Sequence, residues 1–293
     1  MTRQTLSNLR SLLDERGIQP KGKLGQNFLI DLNLIDLIVR SAELTEDDLA
    51  LEVGTGSGSL TARLVEQAGA VLSVEVDRDF YELARDMLDE RPHLVLLQAD
   101  ILKTKNELNP GVLAALRDLQ ERSGCTQLKL VANLPFVVAT PVIANFLITD
   151  LPFERLVVTV QWEIAERLLA TPDHKEFGAL AVLVQSLAKV ELVRKLAPAV
   201  FWPRPQVESA IVCIRPDAEL RAKVGDVQRW RNFLRDLYTH RRKNLRSALA
   251  GWPTGRRDKP EVDRKLADLG IDGTARAEDL DLEIHLKLCA AFG

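Results

Sequence analysis

LALEVGTGSGSLTARLVEQA, residues 49–68, passes from one secondary-structure period to another across three glycines. Leu49–Val53 is a short apolar run with little alternation, the pattern of a strand covered on both faces. Residues 60–68 carry a helical pattern. Between them Gly54, Gly56 and Gly58 let the backbone turn sharply and approach a ligand closely where a helix begins. A dinucleotide fingerprint, GxGxxG, requires glycine at position 59; that position is Ser59. The observed GxGxG, with Glu52 two residues ahead of it, suits a ligand without a pyrophosphate, such as a nucleoside bearing an amino acid. The competing explanation is a structural turn with incidental glycines.

Outward from this loop the alternation repeats. Strand candidates are 49–53, 70–76, 94–99, 128–132 and 155–161, with helical patterns between them. Strands alternating with helices imply right-handed βαβ units and a mainly parallel sheet. Two later apolar runs, 189–196 and 209–216, have no helix between them and are expected to form an antiparallel hairpin at the sheet edge. The fold expected is α/β: a Rossmann-like, mainly parallel seven-stranded sheet with an antiparallel edge hairpin, plus a small all-α C-terminal domain. Strand signals vanish after residue 215, which places the boundary between a domain of residues 1–215 and a helical one of residues 216–293. Residues 101–127 look long for a connection and read as an inserted helical excursion on the sheet surface.

Ligands of open parallel sheets sit at the carboxyl ends of the strands, near the switch in strand order. Four consecutive strand candidates end in a group suited to that position. The first runs into the glycine loop. The second closes on Glu75, 21 residues after Gly54, where an acid can accept from both hydroxyls of a ribose. The third closes on Asp100, whose carboxylate can accept from an exocyclic adenine amine. The fourth closes on Asn133, followed by Leu134, Pro135 and Phe136. Taken singly, each is equally well a helix cap or a solvated loop residue.

Composition narrows the function classes. The 293 residues are 46% hydrophobic and 28% charged, as in soluble globular proteins. No apolar run approaches the roughly 20 residues that span a bilayer, and the first 17 residues lack a signal peptide's apolar core, so a cytoplasmic location is expected. Cys125, Cys213 and Cys289 form no CxxC pair and the four histidines no HxxxH spacing. A disulfide scaffold and a metal site are therefore not expected. The net charge of −3 hides an asymmetry: residues 221–265 hold 14 Lys/Arg against 5 Asp/Glu. A basic patch of that density neutralises phosphates and steers polyanions, which makes the C-terminal helices a candidate nucleic-acid surface. A solvated helical face is the plainer alternative.

Read together, these motifs resemble the class I S-adenosylmethionine-dependent methyltransferases, and within them the KsgA-like ribosomal RNA adenine dimethyltransferases, relatives of the Erm enzymes of macrolide resistance. KGKLGQNFLID (21–31), LEVGTGSGSL (51–60), EVDRD (75–79), QAD (98–100), NLPF (133–136), FWPRPQVESAIV (201–212) and HRRKNLRSAL (240–249) fall in that family's order. The resemblance implies S-adenosylmethionine as cofactor. Asn27 and Leu29 would line its pocket as part of a lid, Gly54 would approach the methionine portion, Glu75 would hold the ribose and Asp100 the adenine. Asn133 would serve both the cofactor and the target base. The implied reaction adds two methyl groups to N6 of each of two adjacent adenosines near the 3′ end of small-subunit ribosomal RNA. The implied partner is a precursor of that subunit, with neither membrane nor metal, and the protein is expected to be a monomer. Two departures stand out: the family's NLPY is NLPF here, and the segment between Asp100 and Asn133 is long.

The chemistry explains the NLPF residues. An adenine N6 is a poor nucleophile because its lone pair is delocalised into the ring. Two acceptors, the Asn133 side-chain oxygen and the Leu134 carbonyl, favour a pyramidal nitrogen. Pro135 fixes its own φ and restricts Leu134 before it. Phe136 offers a face on which an extruded base stacks. Phe201 is expected to close over the base's other face. Arg241, Arg242, Lys243 and Arg246 are expected to grip RNA phosphates, with Lys21 and Lys23 adding contacts at the lid. The alternatives are an Erm-type enzyme acting on large-subunit RNA and a non-catalytic assembly or transcription factor on the same fold. An NAD-dependent dehydrogenase is disfavoured by Ser59.

Overall fold

Leu49–Val53 is buried from end to end, as a strand with apolar residues on both faces must be. The computed structural model describes residues 6–88, 91, 93–172, 174–240, 242–253 and 255–293. In chain order these form α1 (Leu6–Glu15), β1 (Phe28–Leu29), α2 (Leu32–Ala42), β2 (Asp48–Val53), α3 (Ser59–Val65), β3 (Ala70–Glu75), α4 (Arg78–Leu88), β4 (Leu94–Gln98), β5 (Leu102–Thr104), β6 (Glu107–Leu108), α5 (Pro110–Ser123) and β7 (Gln127–Asn133). There follow α6 (Ala139–Ile148), β8 (Phe153–Gln161), α7 (Trp162–Leu169), α8 (Ala179–Gln185), β9 (Ala188–Leu196), β10 (Phe201–Trp202), β11 (Ser209–Pro216), α9 (Ala218–Val224), α10 (Val227–Tyr238), α11 (Leu245–Ala250), α12 (Lys259–Asp268) and α13 (Leu282–Phe292).

The seven-stranded sheet has the order β4-β3-β2-β7-β8-β11-β9. β4, β3, β2, β7 and β8 run parallel, and β11 joins β8 antiparallel, Ser209 opposite Gln161. The expected edge hairpin is present, with β9 outermost. Only its end residues, Ala188 and Leu196, are buried, and those between are exposed or half-buried, as suits an edge strand. The chain builds outward from β2 to β4 and then returns to place β7 on the other side of β2. The strand order therefore switches between β2 and β7, which sets the carboxyl ends of these two strands apart as the place for a ligand.

One face of the sheet is covered by α2 and α3. Ile35, Ile38, Val39, Leu60 and Leu64 pack there against Ala50, Val71, Val131, Val157 and Ile211. Asp31 caps α2 by accepting from the Asn33 N–H at 2.9 Å. Residues 101–127 carry one of the sheet's own connections. After the short β5–β6 hairpin, α5 buries Val112, Leu116 and Leu119 and packs along β3. It is the crossover helix that returns the chain from β4 to β7. The segment looked long because the hairpin is added to an ordinary crossover.

The chain forms two compact units. One is the chain up to Ala165 together with Glu191–Pro216; the other is Glu166–Val190 with Asp217–Gly293. The expected boundary at residue 215 lies one residue from the Pro216–Asp217 junction, but Glu166–Val190 groups with the C-terminal helices. The reason lies in the second unit's own core. α8 buries Ala181, Val182, Leu183 and Val184 and packs against α10, and Trp230 donates to the Ser186 hydroxyl at 2.8 Å. Trp230, Phe233 and Trp252 stack in series. Among the described residues no helix is long and apolar enough to cross a membrane, and no group of three or more His, Cys, Asp or Glu is placed to hold a metal ion.

Candidate active site

The switch point between β2 and β7 opens into a cavity. It is lined by Leu24–Leu29 ahead of α2, by the glycine loop, by Glu52, Glu75 and Val76, and by Asn133, Leu134 and Pro135. Gly54, Gly56 and Gly58 all adopt positive φ, +88°, +52° and +75°, where a side chain is strained. Two of them also meet neighbours. A methyl on Gly54 would stand 3.1 Å from the Pro135 ring, and one on Gly56 2.9 Å from the Phe28 ring. The glycine loop therefore touches the NLPF turn on one side and the β1 segment on the other.

Glu75 closes β3, almost fully buried. Its Oε2 accepts from the Gly56 N–H and its Oε1 from the Asp77 N–H, both at 2.9 Å. Burial pushes its carboxyl above the ordinary range, and the backbone N–H groups pull it part of the way back. Each oxygen keeps a second lone pair for a hydroxyl donor. Glu52, wholly buried, accepts from Thr61 and Ser73 hydroxyls at 2.6 Å. Loss of hydration is the largest influence on it and raises its carboxyl to about 8, so it is mostly protonated at neutral pH. The sequence marked Glu52 only as the acid ahead of the loop.

Asn133, the last residue of β7, donates from Nδ2 to the Asn27 carbonyl at 2.9 Å. That bond fixes the amide's orientation. Its Oδ1 is buried and has no hydrogen-bond partner among the described residues, a state that costs about 1–3 kcal/mol until a donor arrives. Leu134 is buried, and the Pro135 carbonyl accepts from the Val138 N–H at 3.0 Å, closing the turn. Phe136 is half-buried. Val137 beside it is 58% exposed, an apolar rim the sequence did not single out.

Asn27, Leu29, Gly54, Glu75, Asn133, Leu134 and Pro135 come together in this cavity, and Phe136 follows directly on its wall. One expectation, that for Phe201, is corrected, and three further residues stand apart from the cavity lining. Asp100 is not among the lining residues; it is exposed beyond β4, with Oδ1 accepting from the Leu102 N–H at 2.8 Å. Phe201 is buried in the core beneath α2. It meets Phe136 edge to face at 6.4 Å, so it supports that ring and has no open face for a base. Lys21 is bound to Asp77 and Asp79, both at 2.9 Å. Arg246 forms a two-pronged bridge to Asp263 at 2.5 and 2.6 Å, which commits its guanidinium within the helical unit.

Arg241 lies outside the described residues. Arg242 and Lys243 are exposed, and Lys243 borders a recess with Arg256, Arg257 and Lys259. Arg257 is held by the Phe292 carbonyl and lies over the Trp252 ring at 4.7 Å. Arg256, Arg257 and Lys259 were legible only as part of a charge-rich segment, because their convergence depends on the α11–α12 connection.

The sequence matches the ribosomal RNA adenine dimethylase family over residues 17–285. It is 35% identical over 260 residues to the ribosomal RNA small subunit methyltransferase A of Halothermothrix orenii, covering 89% of this chain and 84% of that protein. It is 36% identical over 280 residues to the protein of the same name from Pediococcus pentosaceus, covering 95% and 92%. The chain belongs to the ribosomal RNA adenine dimethylase family. Among solved structures, the 23S rRNA methyltransferase ErmE superposes with a TM-score of 0.61 at 25% identity over 90% of this chain and 99% of that one. A dimethyladenosine transferase from Plasmodium falciparum has a TM-score of 0.71 at 23% identity over 88% and 94%, which speaks for the fold alone.

The methyl donor of ribosomal RNA adenine dimethylases is S-adenosylmethionine, and the cavity fits it. Bare glycine backbone at positions 54 and 56 allows close approach, Glu75 presents a fixed buried carboxylate, and Asn133 Oδ1 is an acceptor in want of a donor. No Ser/His/Asp constellation is needed for this dimethylase chemistry: the substrate amine is itself the nucleophile, and the protein's part is to position it.

Proposed function

We propose that this enzyme dimethylates N6 of two adjacent adenosines in the 3′-terminal hairpin loop of small-subunit ribosomal RNA, during maturation of that subunit in the cytoplasm. The observation that carries this reading is the unpartnered Asn133 Oδ1 at the switch point, adjoining the glycine loop through Pro135. The curated relatives at 34–36% identity are named for the small subunit, which supports that target over a large-subunit one.

In this reading the first compact unit holds both reactants. Glu75 and the glycine loop hold S-adenosylmethionine, with Asn27 and Leu29 from the opposite wall. When bound, that cofactor supplies an electrophilic methyl on a sulfonium. Asn133 Oδ1 and the Leu134 carbonyl accept from the target amine and localise its lone pair. Pro135 holds that carbonyl, and Phe136 stacks the base, which leaves its neighbours most easily from a loop. The helical unit binds RNA phosphates through Arg242 and Lys243, joined by Arg256 and Lys259 in the same recess. The enzyme acts as a monomer.

The test supplies labelled S-adenosylmethionine together with either immature small subunits or free large-subunit RNA, and maps the product by mass spectrometry. Two adjacent dimethyladenosines near the 3′ end of the small-subunit RNA are expected. Label confined to large-subunit RNA would transfer the assignment to the ErmE-like activity, which the structural likeness to that enzyme keeps in view.

A further inference from the structure

The wall of the cavity formed by Leu24–Leu29 precedes α2 and ends in β1, whose Leu29 packs in the sheet's core. Its later part is held by the β1–β10 pairing and by the Asn133–Asn27 bond, whereas the 21–26 segment ahead of it is fastened by a buried carboxylate, that of Asp77, in the turn after β3. Asp77 Oδ1 accepts from Lys21 Nζ at 2.9 Å and from the Asp79 N–H at 3.1 Å. Its Oδ2 accepts from Gln26 Nε2 at 2.9 Å. Gln26 in turn accepts from the Lys21 N–H through Oε1 at 2.6 Å, so both ends of the 21–26 segment close on the same point. The Asp77 side chain is fully buried, whereas Lys21 is half-exposed. Burial works against the charge on Asp77, but the Lys21, Gln26 and Asp79 donors outweigh it and hold the carboxyl below the ordinary range.

The same residue reaches the opposite wall. The Asp77 N–H is one of the two donors that fix Glu75. A single turn thus ties the strap over the cavity to the carboxylate beneath it. An ion pair serving only to pin the N-terminal segment needs neither the second donor from Gln26 nor the link to Glu75. A charge-assisted bond to a buried acceptor is among the stronger side-chain bonds, enough to govern how often the strap opens. Loss of one such bond corresponds to roughly tenfold or more in a rate or binding constant.

We propose that Asp77 is a positioning residue: it latches the Lys21–Gln26 strap across the cavity mouth and thereby sets how fast S-adenosylmethionine enters and leaves. This rests on the cavity being the cofactor site. The latch has a half-exposed cation, so it weakens as ionic strength rises. Asn27, whose carbonyl holds the Asn133 amide, follows directly on the strap.

The test uses the full chain with Asp77→Asn, Lys21→Met and Lys21→Arg. Two quantities are read: hydrogen exchange of the amides of residues 22–29 without cofactor, and the dissociation rate of S-adenosylmethionine. Asp77→Asn and Lys21→Met are expected to speed both by roughly tenfold. KM for the cofactor should rise, while kcat at saturating cofactor stays within about twofold. Lys21→Arg, which keeps the ion pair, is expected to match the wild type. If Asp77→Asn fails to fold, Lys21→Met carries the test, because its side chain is half-exposed. Unchanged exchange and unchanged dissociation in Lys21→Met would overturn the proposal and leave a merely structural ion pair. Absence of cofactor binding to the wild type would overturn the cavity assignment instead, and the exchange rates distinguish the two failures.

Discussion

Asn133 is the residue on which the site turns, because one half of its amide is spent on holding the other half still. Nδ2 is bound to the Asn27 carbonyl and Oδ1 is left for a donor. Asn133→Ala removes an acceptor that acts on the reacting nitrogen. Its kcat is expected to fall by about two orders of magnitude, as when one preorganised polar group is lost from an active site. The lost Asn27 bond should lower stability by only about 1 kcal/mol; single-turnover methylation and urea melts separate the two effects. Phe136→Ala should lower kcat/KM for RNA roughly five- to hundredfold, the worth of one base stack, whereas Phe136→Tyr keeps the ring and should stay within a fewfold. Equal damage by Tyr and Ala would sink stacking as that residue's role. Glu52 gives a prediction in pH. Its folded carboxyl titrates near 8 rather than at the ordinary 4.5. Between those values the folded protein keeps a proton that the unfolded chain releases, so Glu52 makes stability fall as pH rises through that window. Glu52→Gln still accepts from Thr61 and Ser73 through its amide oxygen and does not ionise. Relative to wild type, its urea midpoint should therefore rise progressively between about pH 5 and about pH 8. The sequence exposed Asn133 and Phe136 through the strange end of an apolar strand. It did not expose Glu52's state, which comes from complete burial by elements distant in the chain.

At the scale of elements, the strands were the most legible feature, because Val- and Leu-rich runs without alternation have few other homes. β11 matches the expected 209–216, β2, β3 and β4 differ from the expected runs by one residue at one end, and β7 by one residue at each end. What the sequence concealed is the charge packed at the other ends of the same strands. Lys129 on β7 and Arg155 on β8 are each only 6% exposed. Lys129 Nζ reaches the Glu43 carbonyl at 2.8 Å and Asp48 at 3.0 Å. Arg155 is clasped by Glu43 at 2.7 Å and by Glu154 at 3.1 Å. A lysine inside LKLVA reads as a solvated interruption until the partners on β2 and after α2 are in place. Lys129→Met leaves Asp48 charged and buried without its cation, and should cost about 3 kcal/mol of unfolding free energy. Adding Asp48→Asn removes the stranded charge and should recover part of it. Additive losses in that double variant would mean the pair is not coupled. Phe201, expected to close over the base, was misread for a related reason: β10 pairs with β1, Leu29 opposite Phe201, and draws the ring into the core.

For the whole molecule, the asymmetry of charge was legible and the fate of each charge was not. The surplus of Lys and Arg between residues 221 and 265 marks a polyanion surface by sum alone, and a sum does not say which cations are already spent. Arg246 is spent on Asp263, whereas Arg242 is exposed and Lys243 stands at the rim of a recess with Arg256 and Lys259. Each cation that neutralises a phosphate releases a counterion, so its removal lowers the slope of log affinity against log salt by about 0.7–0.9. A variant with both Arg242→Ala and Lys243→Ala should bind small-subunit RNA more weakly at low salt, with the slope reduced by about 1.5. Arg246→Ala should leave that slope almost unchanged and show itself as a lower melting temperature, since what it breaks is the tie between α11 and α12. Filter-binding titrations of the three proteins across a salt series decide the matter. A full unit of slope lost in Arg246→Ala would mean that its bridge to Asp263 opens on RNA, and that the guanidinium changes partners from carboxylate to phosphate when the complex forms.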